Sequence, residues 1–84
     1  MNQETVTVVF NMTKRYIIKD LEIPLNITAN ELIVALNEAY DLEIDTSNVK
    51  ECYLKAEKPI VLLRGNKTLA EFGIRNGTII YYTK

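Results

Sequence analysis

One segment of this chain has the periodicity of an amphipathic helix, and it constrains the rest of the fold. In TANELIVALNEAY, Thr28 to Tyr40, apolar residues recur at steps of three and four. Glu31 follows Thr28 at the spacing of a capping box, in which each side chain accepts a hydrogen bond from an otherwise unpaired backbone N–H. The pattern predicts a helix that begins at Ala29. Its sheet-facing stripe should comprise Leu32, Ala35, Leu36, Ala39 and Tyr40.

The other apolar runs are short and mostly alternate with polar residues, which is typical of strands rather than of a second helix. TVTVVFN, Thr5 to Asn11, has the period of a half-buried strand. The residues predicted to face inward are Val6, Val8 and Phe10. The polar NMTKR that follows is suited to a hairpin loop.

The second strand, YIIKDLEIPL, resumes the alternation, with Leu21 and Ile23 facing inward while Asp20 and Glu22 face outward. Ile17 and Ile18 are adjacent and cannot both share the inward face. The sequence therefore predicts either a bulge or a second apolar contact at this point.

The second half of the chain predicts three more strands. VKECYLKAE has Cys52 and Leu54 as its inward residues, and PIVLL is a short strand whose Pro59 suits only a strand start or a sheet edge. TIIYYT is the last strand. Between the last two strands, TLAEFGIRNG is interpreted as one helical turn and a tight corner. Its apolar anchors are Leu69, Phe72 and Ile74.

This order predicts an α+β fold, with one mixed sheet of four to five strands and a single α-helix packed across it. Residues 1–84 are expected to form one domain. A chain of this length buries only about 60% of the surface that its unfolded form exposes, so its core is thin and a large active-site cleft is not expected.

The composition limits the classes of partner that the protein is expected to bind. The ten basic and eleven acidic residues are spread along the chain and leave no basic block for nucleic acid or an anionic membrane. No apolar run approaches the roughly 18 residues of a membrane span, and Met-Asn-Gln-Glu at the start lacks the features of a secretory signal. Cys52 is the single cysteine, so no internal disulfide can form. These features predict a cytoplasmic protein without direct membrane insertion.

The sequence offers little catalytic chemistry. It contains no histidine, which removes the commonest general base and metal ligand. Cys52 lies in a strand without a histidine to activate it and is interpreted as a core residue. DLEIDTS begins like a calcium loop, but Thr46 replaces the required glycine and Cys52 the bidentate glutamate. We therefore predict no enzyme activity and no catalytic, cofactor-binding or metal site.

The remaining hypothesis concerns a surface. If Ile79 and Tyr81 face the core, then Ile80 and Tyr82 face outward, and Tyr53 faces outward from the strand of Cys52. Tyrosine provides large, rigid contact area with one polar tip, so Tyr53, Ile80 and Tyr82 are the predicted protein-binding residues. The alternative is that these tyrosines only stabilise an exposed sheet through cross-strand contacts. An exposed edge strand would also allow two copies to pair as a homodimer.

The element order and TLAEFGIRNGTIIYY resemble ubiquitin-like β-grasp domains, in which apolar residues at the places of Leu69, Phe72 and Ile74 enter the core. Within that superfamily, DLEIP before the helix and the ending LAEFGIRNGTII are most similar to the YukD-like (EsaB-like) proteins of the type VII (WXG100) secretion system of Gram-positive bacteria. The resemblance implies a cytoplasmic accessory component that contacts secretion-machinery proteins and needs no cofactor.

A ubiquitin-like modifier or sulfur-carrier protein, acting as co-substrate of an activating enzyme, is the alternative function. Such a protein needs a flexible tail that ends in glycine, because a side chain would clash in the narrow active site. The sequence ends Tyr-Tyr-Thr-Lys and has no C-terminal Gly-Gly. This ending favours binding over conjugation.

Overall fold

The computed structural model describes residues 4–83. Residues 1–3, predicted to carry no secretory signal, and Lys84, the last residue of the Tyr-Tyr-Thr-Lys ending, lie outside this range. The strands are β1 (Thr5–Met12), β2 (Ile17–Pro24), β3 (Leu54–Glu57), β4 (Val61–Leu63) and β5 (Ile79–Tyr82), and the α-helix is α1 (Ala29–Tyr40). A short 3-10 turn, Thr13–Arg15, joins β1 to β2.

The strands form one mixed sheet in the order β2-β1-β5-β3-β4. β1 and β5 run parallel, whereas the pairs β1–β2, β5–β3 and β3–β4 are antiparallel. Side chains from one face of this sheet form the core together with α1. The predicted α+β fold, with one helix and one mixed sheet, is confirmed.

α1 begins at Ala29, as its capping box predicts. The Glu31 N–H donates to Thr28 Oγ1 at 3.1 Å, and the Thr28 N–H donates to Glu31 Oε1 at 3.0 Å. The predicted stripe is wrong at Ala35 and Ala39, which are exposed. The helix turns Ile33 toward the core instead, because burying a branched side chain removes more apolar surface from water than burying a methyl group. The buried helix residues are Ala29, Leu32, Ile33 and Leu36.

The β1–β2 hairpin keeps a continuous register. Asn11 pairs with Ile18 and Met12 with Ile17, so the bulge that was one of the two predicted outcomes is absent. The inward side chains of β1 are buried as predicted, whereas Ile17 and Ile18 remain exposed. The hairpin therefore carries apolar side chains in solvent at one corner of the sheet.

The segment between β4 and β5 anchors the core as predicted. Leu69 and Ile74 are buried, and Phe72 is half-buried against the core. Thr68 and Glu71 repeat the capping arrangement: the Glu71 N–H donates to Thr68 Oγ1 at 3.2 Å, and the Thr68 N–H donates to Glu71 Oε1 at 3.2 Å. These contacts hold the single helical turn that leads to β5.

Within residues 4–83, no helix is both long enough and apolar enough to cross a membrane. α1, the α-helix in this range, has 12 residues, whereas a membrane span needs about 20.

Candidate protein-binding surface

The two faces of the sheet have different surroundings. The inner face packs with α1 in the core. We call the opposite side the outer face. Strand pairing places neighbouring outer-face side chains next to each other, since Asn11 and Lys55 both pair with Tyr81, and Leu62 pairs with Lys55. The outer-face residues of the three central strands are Thr5, Thr7, Val9, Asn11, Ile79, Tyr81, Lys55 and Glu57.

The predicted binding residues do not all lie on the outer face. Ile80 is 1% exposed and Tyr82 6% exposed, so their predicted outward placement is wrong. Ile80 pairs with Phe10, and Tyr82 pairs with Met12. Partners in a sheet share a face, and both β1 residues are buried in the core. The register of β5 against β1 therefore turns Ile80 and Tyr82 inward.

Tyr82 can be buried because its polar tip has a partner. Its hydroxyl donates a hydrogen bond to the Leu42 carbonyl. The Arg15 guanidinium lies 5.6 Å from the centre of the Tyr82 ring, and its nitrogens donate to the Tyr40 and Asp41 carbonyls at 2.6 and 2.7 Å. A tyrosine with a satisfied hydroxyl behaves as a core aromatic residue.

The outer face carries Ile79 and Tyr81, which the sequence analysis assigned to the core. Both are half-buried. Tyr53, the third predicted binding residue, lies immediately before β3 and is half-buried between the buried Cys52 and Leu54. Tyr53, Lys55 and Tyr81 line one small depression. The structure thus brings Tyr53 together with Tyr81. Tyr82 also lines this depression although it is nearly buried, whereas Ile80 does not line it.

An apolar groove continues from Tyr81 to the β4 edge. Its walls include Val61 and the more exposed Ile60 and Leu62, at 87% and 41% exposure. Lys55 and Glu57 provide charged groups along the same groove. The sequence signal for these residues was the apolar run PIVLL on an edge strand, where some of the side chains have no neighbouring strand to cover them.

Glu57 and Tyr81 interact across the β3–β5 pair. The hydrogen bond with the Glu57 carboxylate raises the pKa of Tyr81, and desolvation and the negative charge of Glu57 act in the same direction. These effects all favour the protonated, neutral form of the phenol. It presents a polar tip within a largely apolar surface.

Cys52 has the surroundings of a packing residue. It is buried, and its Sγ donates to Asn30 Oδ1 at 3.7 Å. Burial, followed by the negative charge of Asp45, raises the pKa of the Cys52 thiol. A thiol that stays protonated is a poor nucleophile. Among the described residues there is also no group of three or more histidine, cysteine, aspartate or glutamate side chains that could hold a metal ion.

Comparisons with known proteins relate the chain to one family and to a solved structure. The profile of one family, described as "YukD: WXG100 protein secretion system (Wss), protein YukD", matches residues 5–81. The chain is also similar to the C-terminal ubiquitin-like domain of mouse tubulin-specific chaperone e, a solution structure. The TM-score is 0.72 at 13% identity, over 96% of this chain and 87% of that chain. A sequence search of curated proteins finds no match. The structural likeness shows a ubiquitin-like fold.

Proposed function

We propose a function from one premise: the chain belongs to the YukD family of the WXG100 protein secretion system. On this premise, the protein is a non-catalytic, cytoplasmic accessory component that binds another protein of the secretion system. It acts through contacts made by its outer face and uses no cofactor.

The observation that carries this proposal is the uncovered apolar surface on the outer face. Its centre is the neighbouring pair Tyr53 and Tyr81, and the groove toward Ile60 and Leu62 extends it. Rigid aromatic side chains surrounded by smaller apolar ones are typical of the residues that dominate protein–protein binding. Contiguous apolar surface of this kind on a small protein favours a docking role.

The charges near this surface suit a selective contact. Lys55 and Glu57, which carry opposite charges, line the groove. An apolar centre with a polar rim is the usual organisation of a protein interface. The centre supplies buried area, while the rim excludes partners of the wrong charge.

The test uses Tyr53→Ala combined with Tyr81→Ala in a bacterium that lacks its own copy of the protein. We expect export of WXG100 proteins to fall to the level of the deletion strain, although the variant accumulates and retains its circular dichroism. Because Tyr81→Phe keeps the ring, it serves as the matched control and should support normal export. Normal export by the double alanine variant would contradict the proposed surface.

A photo-crosslinking amino acid at Tyr81 gives a direct measure of contact. In the intact secretion system it should crosslink to a secretion component. The same group at Val49, which is exposed in the loop before β3, should not crosslink to that component. Equal crosslinking from both positions would contradict a specific outer-face contact.

A further inference from the structure

The β2 edge is an open side of the sheet. β2 is the first strand in the order, and among residues 4–83 it pairs only with β1, along all eight of its residues. An edge strand presents unpaired backbone N–H and C=O groups to which another strand can bind. The β4 edge has only three strand residues, so β2 offers the longer template.

The hydrogen bonds of β1 show which β2 groups face solvent. The Thr7 carbonyl accepts from the Gly77 N–H at 3.0 Å, and the Val9 N–H donates to the Thr78 carbonyl at 2.9 Å. The backbone groups of Thr7 and Val9 therefore point toward β5.

Glu22 and Asp20 pair with these two β1 residues. In an antiparallel pair, residues bonded across the pair alternate with residues whose groups point away. The N–H and C=O groups of Asp20 and Glu22 thus point to the open edge, and the alternation continues to Ile18. Pro24, two residues beyond Glu22, has no N–H and ends this row of donors.

The side chains along this row have a simple pattern. Ile18 is 64% exposed, and Asp20 and Glu22 are exposed on the same outer side of β2. At every second residue of β2, the edge therefore presents first an apolar side chain and then two acidic ones. The acidic side chains have no ion-pair partner among the described residues.

A second copy of this chain does not suit the edge. Antiparallel pairing of two β2 strands about Asp20 would place Asp20 opposite Asp20. If the two strands were shifted by two residues, which keeps the same side chains on the outer face, Asp20 would lie opposite Glu22. Like charges directly opposite each other destabilise a strand pair. The acidic positions favour a partner strand of opposite charge.

The geometry points to the β2 edge as a binding site for an extended basic segment of a partner protein, which adds to the sheet as an antiparallel strand. The segment has the pattern basic-x-basic-x-apolar, with its basic residues opposite Glu22 and Asp20 and its apolar residue opposite Ile18. Backbone hydrogen bonds would supply affinity, and the alternate side chains would supply specificity. This site is separate from the outer-face surface around Tyr53 and Tyr81.

The β1–β2 turn carries another exposed aromatic side chain, two residues before Ile18. Tyr16 is 94% exposed and has a left-handed backbone with φ of 56°. The preceding Arg15 is held by its bonds to the Tyr40 and Asp41 carbonyls, which orients the turn.

The probe is an acetylated and amidated peptide with the core sequence Lys-Thr-Lys-Thr-Val, added to the full ¹⁵N-labelled chain. We expect the largest amide shifts at Ile18, Asp20 and Glu22, and slower hydrogen exchange at these outward amides. A Glu-Thr-Glu-Thr-Val peptide should not bind. Shifts scattered over other acidic residues, shifts centred on Tyr81, peptide-induced dimers, or no shifts at millimolar peptide would each overturn the proposal.

Two sets of variants distinguish the contribution of the acidic side chains to peptide binding from that of the backbone hydrogen bonds. The variant with Asp20→Lys and Glu22→Lys should bind the basic peptide about tenfold or more weakly than the original chain does. It should bind the acidic peptide instead. Glu22→Pro removes an outward N–H without removing a bond to β1, so it should weaken binding more than Glu22→Gln, which removes only the charge. Equal binding by these two variants would overturn the strand-addition mode.

The edge variants also distinguish this site from the outer face. Tyr53→Ala combined with Tyr81→Ala should bind the basic peptide normally. If this double variant lost the peptide while Asp20→Lys with Glu22→Lys retained it, the peptide site would lie on the outer face and the edge proposal would be wrong.

Discussion

The two tyrosines at the end of β5 are adjacent in sequence but have opposite surroundings. Tyr82 is buried, its hydroxyl bonds the Leu42 carbonyl, and Arg15 lies beside its ring. Tyr81 lies half-exposed on the outer face, with Glu57 beside its hydroxyl. Residue type alone therefore does not decide whether a tyrosine on this strand belongs to the core or to the surface. The placement of each tyrosine depends on the register of β5 against β1 and on the hydrogen-bond partner available to its hydroxyl.

Truncating the two tyrosines should have very different effects on stability. Tyr82→Ala opens a cavity in the core and leaves the Leu42 carbonyl without its donor, so we expect the free energy of unfolding to fall by about 3–5 kcal/mol. Tyr81→Ala should lower it by about 1 kcal/mol or less, because surface changes rarely cost more. Urea denaturation followed by circular dichroism measures both. Equal losses would mean that Tyr81 contributes as much to the stability of the fold as Tyr82.

This difference affects the design of binding experiments. Tyr82 was among the binding residues predicted from the sequence, and its truncation would weaken binding by destabilising the fold. Loss of function in that variant would carry no information about a surface. Tyr81 is the residue whose removal can separate binding from folding.

Removing only the hydroxyl of each tyrosine separates the contribution of its hydrogen bond from that of its ring. Tyr82→Phe keeps the ring but loses the bond to the buried Leu42 carbonyl, so we expect a loss of about 1–2 kcal/mol in the free energy of unfolding. Tyr81→Phe should change it by less than about 0.5 kcal/mol. Thermal denaturation of both variants at one pH provides the measurement. An unchanged Tyr82→Phe would mean that the Leu42 bond contributes nothing to stability.

Much of the fold could be predicted because several local signals agree with the tertiary structure. The Thr28 and Glu31 capping box marks the start of α1, and the alternation in β1 identifies its buried face. Leu69 and Ile74 are large apolar residues in a turn-rich segment that is otherwise mostly polar. Their burial in the core follows from that contrast. In each case a pattern of neighbouring residues is enough to predict the structure that they adopt.

The candidate surface could be predicted only in part, for a related reason. Ile-Ile-Tyr-Tyr in β5 presents the same residue types on both faces, so its alternation has no preferred phase. The parallel register with β1 decides the phase, and this contact joins residues far apart in sequence. The error at Ile80 and Tyr82 came from this missing long-range information. Tyr53 was placed correctly because Cys52 and Leu54 mark the inward side of its segment.

The smallest expected effect concerns the ionisation of Tyr81. Because Glu57 raises the pKa of this phenol, the folded state favours the protonated form. The associated stabilisation is present below the ordinary pKa of tyrosine and is lost as the pH rises through the raised value. Glu57→Gln should therefore move the pKa of Tyr81 downward, toward its ordinary range. Glu22→Gln, which removes an outer-face carboxylate that pairs with Thr7, should leave it unchanged. An NMR titration of the Tyr81 ring resonances measures both shifts, and a Tyr81 pKa insensitive to Glu57→Gln would show that this pair does not set the polarity of the outer face.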